Sequence, residues 1–482
     1  DRRRPRPLGF GAAPTMLLFE FSQWAAAFWV SAIAALAITY ESRKGEQTGL
    51  NGPDSDFRAF RNAYLVVYYL AMLADWLQGP YVYALYESYG FSPHDIAVLF
   101  VGGFGSSMIF GTFAGAAADR VGRRACGVLY AVSYILSCMT KHMKDYNWLM
   151  LGRVLGGIST SLLFSTFESW LVCEHNARGY DPAWLGNTFS LAYFGNSVAA
   201  ILAGLMAQAA AEVKPLTPVS EGSMAHYGGY TAPFDLSSAV LVVLCGALLH
   251  LWNENYGSQS DGLAPSTDGL VKALKALARD RVIAVLGCAI AFFEGSMYIF
   301  VFKWTPTLTV DGADRPPFGF IFSIFMVCAM CGSSLFGILI RTARPEALLL
   351  TTFAVAAGSL AVPSMSASPA LNLACFMVFE VCVGVYFPAM GMLKSQLVPE
   401  EVRATVYNVF RVPLNVIVLG VLLNSLSKFA AFATCGIMLA LAAVCMSSLA
   451  AMRAHGYATR SGAGTSKHDT VRLEDSASSE TD

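Results

Sequence analysis

Charge is what this sequence has least of. Of its 482 residues only 13% are Asp, Glu, Lys or Arg, against roughly 25% in a soluble domain. With so little polar surface, and 55% of its residues hydrophobic, a chain of this length cannot stay in water and needs lipid as its solvent. The mean hydropathy of +0.51 agrees. The 32 Lys and Arg offset 33 Asp and Glu to a net charge of −1, so the chain lacks the basic surface that a nucleic-acid partner requires. The 11 cysteines include no CxxC pair with downstream histidines, and no metal site follows from them. Cys328 and Cys331 do have CxxC spacing, but they sit mid-way along an apolar run, where small thiols fill a core. Nucleophile–base motifs, a Walker loop and HExxH are all missing, which removes the basis for an enzyme or a resident cofactor.

Long apolar runs, by contrast, recur along the whole chain. A membrane-spanning helix needs about 20 mostly apolar residues. Twelve such segments fall near 62–86, 94–117, 124–141, 147–172, 187–211 and 234–252, then 282–304, 316–340, 346–363, 370–393, 402–425 and 429–452. They are too long for barrel strands, so they read as helices that satisfy their own backbones. The organisation that follows is an all-α membrane protein with an N-terminal six-helix half at 62–252 and a C-terminal six-helix half at 282–452. A cytoplasmic linker at 253–281 joins the halves, and a disordered cytoplasmic tail covers 453–482. Residues 16–40 read as an extra N-terminal transmembrane helix, because the run is long for a signal peptide and no small-x-small cleavage site follows it. Residues 1–15, with Arg2, Arg3, Arg4 and Arg6, read as a non-native or disordered extension before Met16.

Loop charges give an orientation. With the 118–123 loop in the cytoplasm, twenty Lys and Arg fall on that side, against six (Lys141, Lys144, Lys214, Lys303, Arg315 and Lys428) opposite. The halves also echo each other. The run Gly105-Ser106-Ser107 returns as Gly332-Ser333-Ser334, and the pairs Asp75/Glu294 and Asn196/Asn415 are each 219 residues apart, as an internal duplication produces.

Two motifs carry chemistry. The run from Gly115 to Arg124 reads Gly-x-x-x-Asp119-Arg120-x-Gly122-Arg123-Arg124 between the second and third spans. Gly115 would permit close helix approach and Gly122 a tight turn. Asp119 stands at a helix end with Arg120 and Arg123 able to pair with it. This is the loop motif of the major facilitator superfamily, which the sequence therefore resembles. The second motif, Arg153-Val154-Leu155-Gly156-Gly157 in the fourth span, is similar to that superfamily's R-x-x-x-G pattern. An arginine inside a bilayer is costly and faces a cavity or a partner; Asp75 is the partner expected here. Asp75, Glu294, Glu380 and Arg411 fall near the middle of spans one, seven, ten and eleven. The resemblance implies that spans one, four, seven and ten line a central cavity.

Further runs resemble one branch, the eukaryotic molybdate-anion transporter family: Ala74-Asp75-Trp76-Leu77-Gln78-Gly79-Pro80-Tyr81, Gly152 to Thr160, Leu163 to Trp170, and Phe410-Arg411-Val412-Pro413-Leu414. The resemblance spans roughly Phe57 to Arg453. It implies secondary uptake of molybdate across the plasma membrane by alternating access. A tetrahedral dianion calls for cations with several donors, and arginine's planar fork supplies them. Arg153 and Arg411, one from each half, are the expected clamp, with Gln78, Asn408 and Tyr81 completing the binding shell. Asp75, Glu294 and Glu380 either hold the arginines or carry a coupling proton. Glu294, with no partner nameable from sequence, is the expected proton carrier, and Asp75 the holder of Arg153. Partners besides the lipid bilayer are the oxyanion and, as coupling ion, protons. Two alternatives stay open: a carrier of another small solute, and a non-transporting sensor of the same fold.

Overall fold

The computed structural model describes residues 55–257, 280–310, 312, 315–398, 403–424 and 426–477, together with Ser31, Ala32, Ala35, Ile38 and Thr39. All twelve expected core segments are helical. The N-terminal half holds α1 (Ser55–Gln78), α2 (Val82–Ser88), α3 (Pro93–Val121), α4 (Arg123–Thr140), α5 (Tyr146–Ala177), α6 (Pro182–Glu212) and α7 (Ala232–Leu251). The C-terminal half holds α8 (Arg281–Leu308), α9 (Phe318–Leu339), α10 (Pro345–Met365), α11 (Pro369–Leu397), α12 (Arg403–Leu423) and α13 (Lys428–Ala477). The first span is divided between α1 and α2 by a 3₁₀ turn, Gly79–Tyr81. Pro80 has no amide to continue the α-helical ladder, and this is why the break falls there.

Short polar residues set the helix ends. Ser92 and Asp95 form a capping box that starts α3, and Asp145 accepts from the amides of Asn147 and Trp148 to start α5. Asp280 does the same for α8 through Val282 at 2.8 Å. The last helix is bounded by Lys428 and Ala477. A short two-stranded hairpin, Thr217–Pro218 paired with His226–Tyr227, lies in the α6–α7 connection.

Small residues govern packing inside each half. In the N-terminal half a Cβ on Gly157 would stand 2.6 Å from the carbonyl oxygen of Gly103, so α5 lies almost backbone to backbone on α3. In the C-terminal half a Cβ on Gly384 would stand 2.9 Å from the amide nitrogen of Ser333, and α11 lies on α9 in the same way. Close approach through small residues is how apolar helices gain contact without a hydrophobic drive. The repeat seen in the sequence thus returns as a repeated packing geometry.

The halves meet along α6 against α9 and α3 against α12. The end carrying the Gly115–Arg124 loop is the basic end. Described contacts between the halves gather toward the other, far end: Trp76 with Phe322 at 5.8 Å, Tyr83 with Phe302 at 5.5 Å, and Phe104 with Tyr298 at 4.9 Å. Glu87 and Arg315 add an ion pair at 3.5 Å. Toward the basic end the N-terminal half has its own aromatic core, in which Trp170 and Trp252 stack with centroids 4.0 Å apart. The five described residues of the 16–40 segment are helical and pack on α9, where Thr39 and Ser334 share a hydroxyl hydrogen bond of 2.8 Å. Residues 1–15 and most of the linker lie outside the described residues.

Candidate functional site

Asp75 and Glu294 hold equivalent places in α1 and α8, and in the structure each meets a tyrosine hydroxyl. Tyr134 of α4 donates to Asp75 Oδ1 at 2.6 Å, and Tyr386 of α11 donates to Glu294 Oε1 at 2.9 Å. Both pairings correct the expectations. Asp75 does not hold Arg153, and Glu294 does have a partner. In each case a phenol from the neighbouring helix fixes a carboxyl inside its own half. The 219-residue offset pointed to the carboxyls, but nothing in the sequence marked the tyrosines.

Arg153 instead turns toward α3. Its Nε donates to the Leu99 carbonyl at 3.1 Å, and the guanidinium lies 4.7 Å from the centre of the Phe100 ring, within cation–π range. Gln78 is buried against α7, its amide donating to Ser237 Oγ at 3.2 Å, so it sits within the N-terminal core and not beside Arg153. Tyr81 stands on the seam between the halves, donating to Gln208 Oε1 at 2.7 Å. The same oxygen accepts from the Gly319 amide at 3.0 Å. Glu380 is 6% exposed and lies beside Cys328 of α9. Asn408 and Arg411 belong to α12, but their side chains lie outside what is described.

At the basic end Asp119 and Arg123 form an i,i+4 ion pair at 2.7 Å. The loop then docks on its own half. Gly122 has φ +109°, and the residue after it opens α4 with no side-chain cap of its own. Glu254, delivered by the chain just past α7, supplies that cap: its carboxylate accepts from the amides of Arg124 at 2.8 Å and Ala125 at 3.1 Å. Arg123 reaches Asn255 Oδ1 at 3.4 Å, and the Gly257 amide donates to the Asp119 carbonyl at 3.0 Å. Arg120 is exposed. Gly115 faces open space, with nothing within 4 Å of where its Cβ would stand, which corrects the close approach expected of it. The C-terminal half has a charge-swapped counterpart, Glu346 at the start of α10 paired with Arg453 of α13. Sequence reasoning missed Glu254 because it lies 130 residues from the loop it caps.

The far end of the N-terminal half is covered by the hairpin. His142 Nε2 meets Asp235 at 2.9 Å, its backbone carbonyl accepts from His226 at 2.7 Å, and Asp235 holds the imidazole pKa above its ordinary value.

Two six-helix halves sealed at one end, with half-buried carboxyls at matching positions and a docked loop at the other, have the architecture of a secondary transporter of the alternating-access type. A family model described as sugar transporters with 12 TM matches residues 26–384. A molybdate-anion transporter from Xenopus tropicalis is 37% identical over 411 residues, 82% of this chain and 87% of the relative. One from Danio rerio is 35% identical over 427 residues, 81% and 85% respectively. Among solved structures, a D-xylose-proton symporter superposes with a TM-score of 0.62 at 14% identity, covering 81% of this chain and 97% of that one. The chain belongs to the molybdate-anion transporter family of the major facilitator superfamily.

Proposed function

We propose that the protein takes up molybdate across the plasma membrane by alternating access between its two halves. One observation carries this reading: identity of 37% with a molybdate-anion transporter, extending over 82% of the chain. The geometry supports it. The seam at the far end closes through aromatic contacts and the Tyr81–Gln208–Gly319 hydrogen bonds, the kind of contact that parts when the halves rock. The charge bias of the loops puts the basic end in the cytoplasm, so the sealed end faces outward.

Arg153 and Arg411, one in each half, form the proposed clamp on the dianion, with Tyr81 and Asn408 proposed to complete the shell; Gln78 leaves the set because Ser237 engages its amide. Protons are the proposed coupling ion. Asp75 and Glu294, each held by one phenol, are the groups to carry them, with Glu380 as a third candidate. The test is molybdate accumulation, read by mass spectrometry, in cells that lack other molybdate carriers. Expression of this chain restores accumulation, and Arg153→Ala and Arg411→Ala lose it while reaching the surface normally. Restored accumulation by Arg411→Ala would remove that residue from the clamp.

A further inference from the structure

Arg153, which is half-buried, is not the one cation turned inward at the far end of the N-terminal half. Lys141, the residue that closes α4, is 2% exposed, so its ammonium lies within the protein instead of reaching the surface. Its Nζ is 5.8 Å from the centre of the Tyr86 ring and 2.9 Å from where a Cβ on Gly152 would stand. Gly152 is the neighbour of Arg153, and the Arg153 guanidinium lies against the Tyr86 hydroxyl. Two cations therefore share one tyrosine.

Neither has a carboxylate partner among the described residues. Lys141 Nζ and the Tyr86 hydroxyl also make no well-formed hydrogen bond to a described group. The nearby acids are engaged elsewhere: Asp235 with His142 at 2.9 Å, Glu87 with Arg315 at 3.5 Å, and Asp75 with Tyr134 at 2.6 Å. A buried ammonium beside a half-buried guanidinium, with no counter-ion, is unfavourable. An unpartnered ammonium, a guanidinium and a phenol converging on one place are what a compact oxyanion requires.

The way in is visible as well. Phe100, on which Arg153 stacks, packs against Phe302 of the other half at 5.3 Å. Beyond Phe302 a cavity of about 300 Å³ lies between the halves, lined by Tyr83, Lys303 and Lys428 among others. The Phe100–Phe302 contact is thus a partition between a cavity bearing two lysines and the Lys141–Arg153 pair.

We infer that Lys141, Arg153 and Tyr86 form an internal binding site for a small inorganic oxyanion, shut by the Phe100–Phe302 contact and reached when the halves part at the far end. That this oxyanion is molybdate rests on the function proposed above; that an oxyanion binds there does not. The test is the thermal stability of the purified full-length protein titrated with sodium molybdate, sodium sulfate and sodium chloride. Wild type is expected to be stabilised by an oxyanion. Lys141→Met should need about tenfold more, the worth of one charge-assisted hydrogen bond, and should be more stable than wild type without anion, because an uncompensated buried charge is gone. Lys141→Arg should keep the response.

Stabilisation by sulfate and not molybdate would uphold the site while sinking the molybdate reading. An equal response of wild type and Lys141→Met, or a response to chloride alone, would overturn the site. Phe100→Ala keeps both cations and tests the same idea independently. It should speed release of bound oxyanion after rapid dilution, and unchanged release would refute the partition.

Discussion

Glu254→Ala is the substitution whose effect the structure sizes most directly. The Glu254 carboxylate accepts two backbone amides at the start of α4, at 2.8 and 3.1 Å, and lies 3.7 Å from the Arg124 guanidinium. Hydrogen bonds to a charged group contribute about 1.5–3 kcal/mol each, and a carboxylate at a helix N-terminus adds a favourable dipole interaction. The side chain is 19% exposed, so water can reach part of what the substitution frees. The net loss is then about 2–3 kcal/mol. Gly122→Ala attacks the same contact from the other side. At φ +109° a side chain is strained, and its Cβ would stand 2.6 Å from Glu254 Oε1, which adds roughly 1–3 kcal/mol of backbone strain. The assay is the melting temperature of the purified transporter, compared with Glu254→Gln, which keeps an accepting oxygen and should fall less. Both Ala variants should melt several degrees lower and alternate more slowly, with substrate affinity near wild type. If Glu254→Ala melted within about a degree of wild type, Glu254 would not be the cap of α4.

Gly204→Val should wedge the sealed seam, because a Cβ there would stand 2.5 Å from the Gly319 carbonyl oxygen; spin-label distances across the far end should lengthen, and unchanged distances would refute the seam. Tyr134→Phe and Tyr386→Phe each remove one phenol from a carboxyl and should shift the pH profile of uptake; identical profiles would end the proton-carrying proposal for that carboxyl. The His142–Asp235 pair should stabilise the hairpin side in acid. Because the folded His142 pKa is raised, its contribution is complete below the unfolded value of about 6.5 and fades as pH rises through the folded value. Asp235 is 57% exposed, so the effect is small, and a stability difference between wild type and His142→Ala that grew with pH would contradict it.

The architecture was legible because hydropathy reports directly on lipid burial: twelve runs became twelve helical segments, and Gly105-Ser106-Ser107 marked a repeated packing face. The Asp119–Arg123 pair could also be read, since an i,i+4 spacing is local. What escaped were partners that only folding brings together. Asp75 meets Tyr134, 59 residues away, and Glu254 caps a helix 130 residues away. Charge alone suggested Asp75 with Arg153, but a phenol satisfies the acid and leaves the arginine to Phe100. Lys141 was counted as a loop charge because it ends an apolar run, and sequence does not say whether a lysine at a helix end turns outward or in.

Transport itself is the central claim. Purified protein reconstituted into liposomes, with molybdate supplied outside and its accumulation read by mass spectrometry, tests it without other carriers. Molybdate uptake above that of empty liposomes is the expected result, lost in Arg153→Ala and Arg411→Ala. Liposomes that bind molybdate without accumulating it, or that take up a neutral sugar and leave molybdate outside, would contradict it.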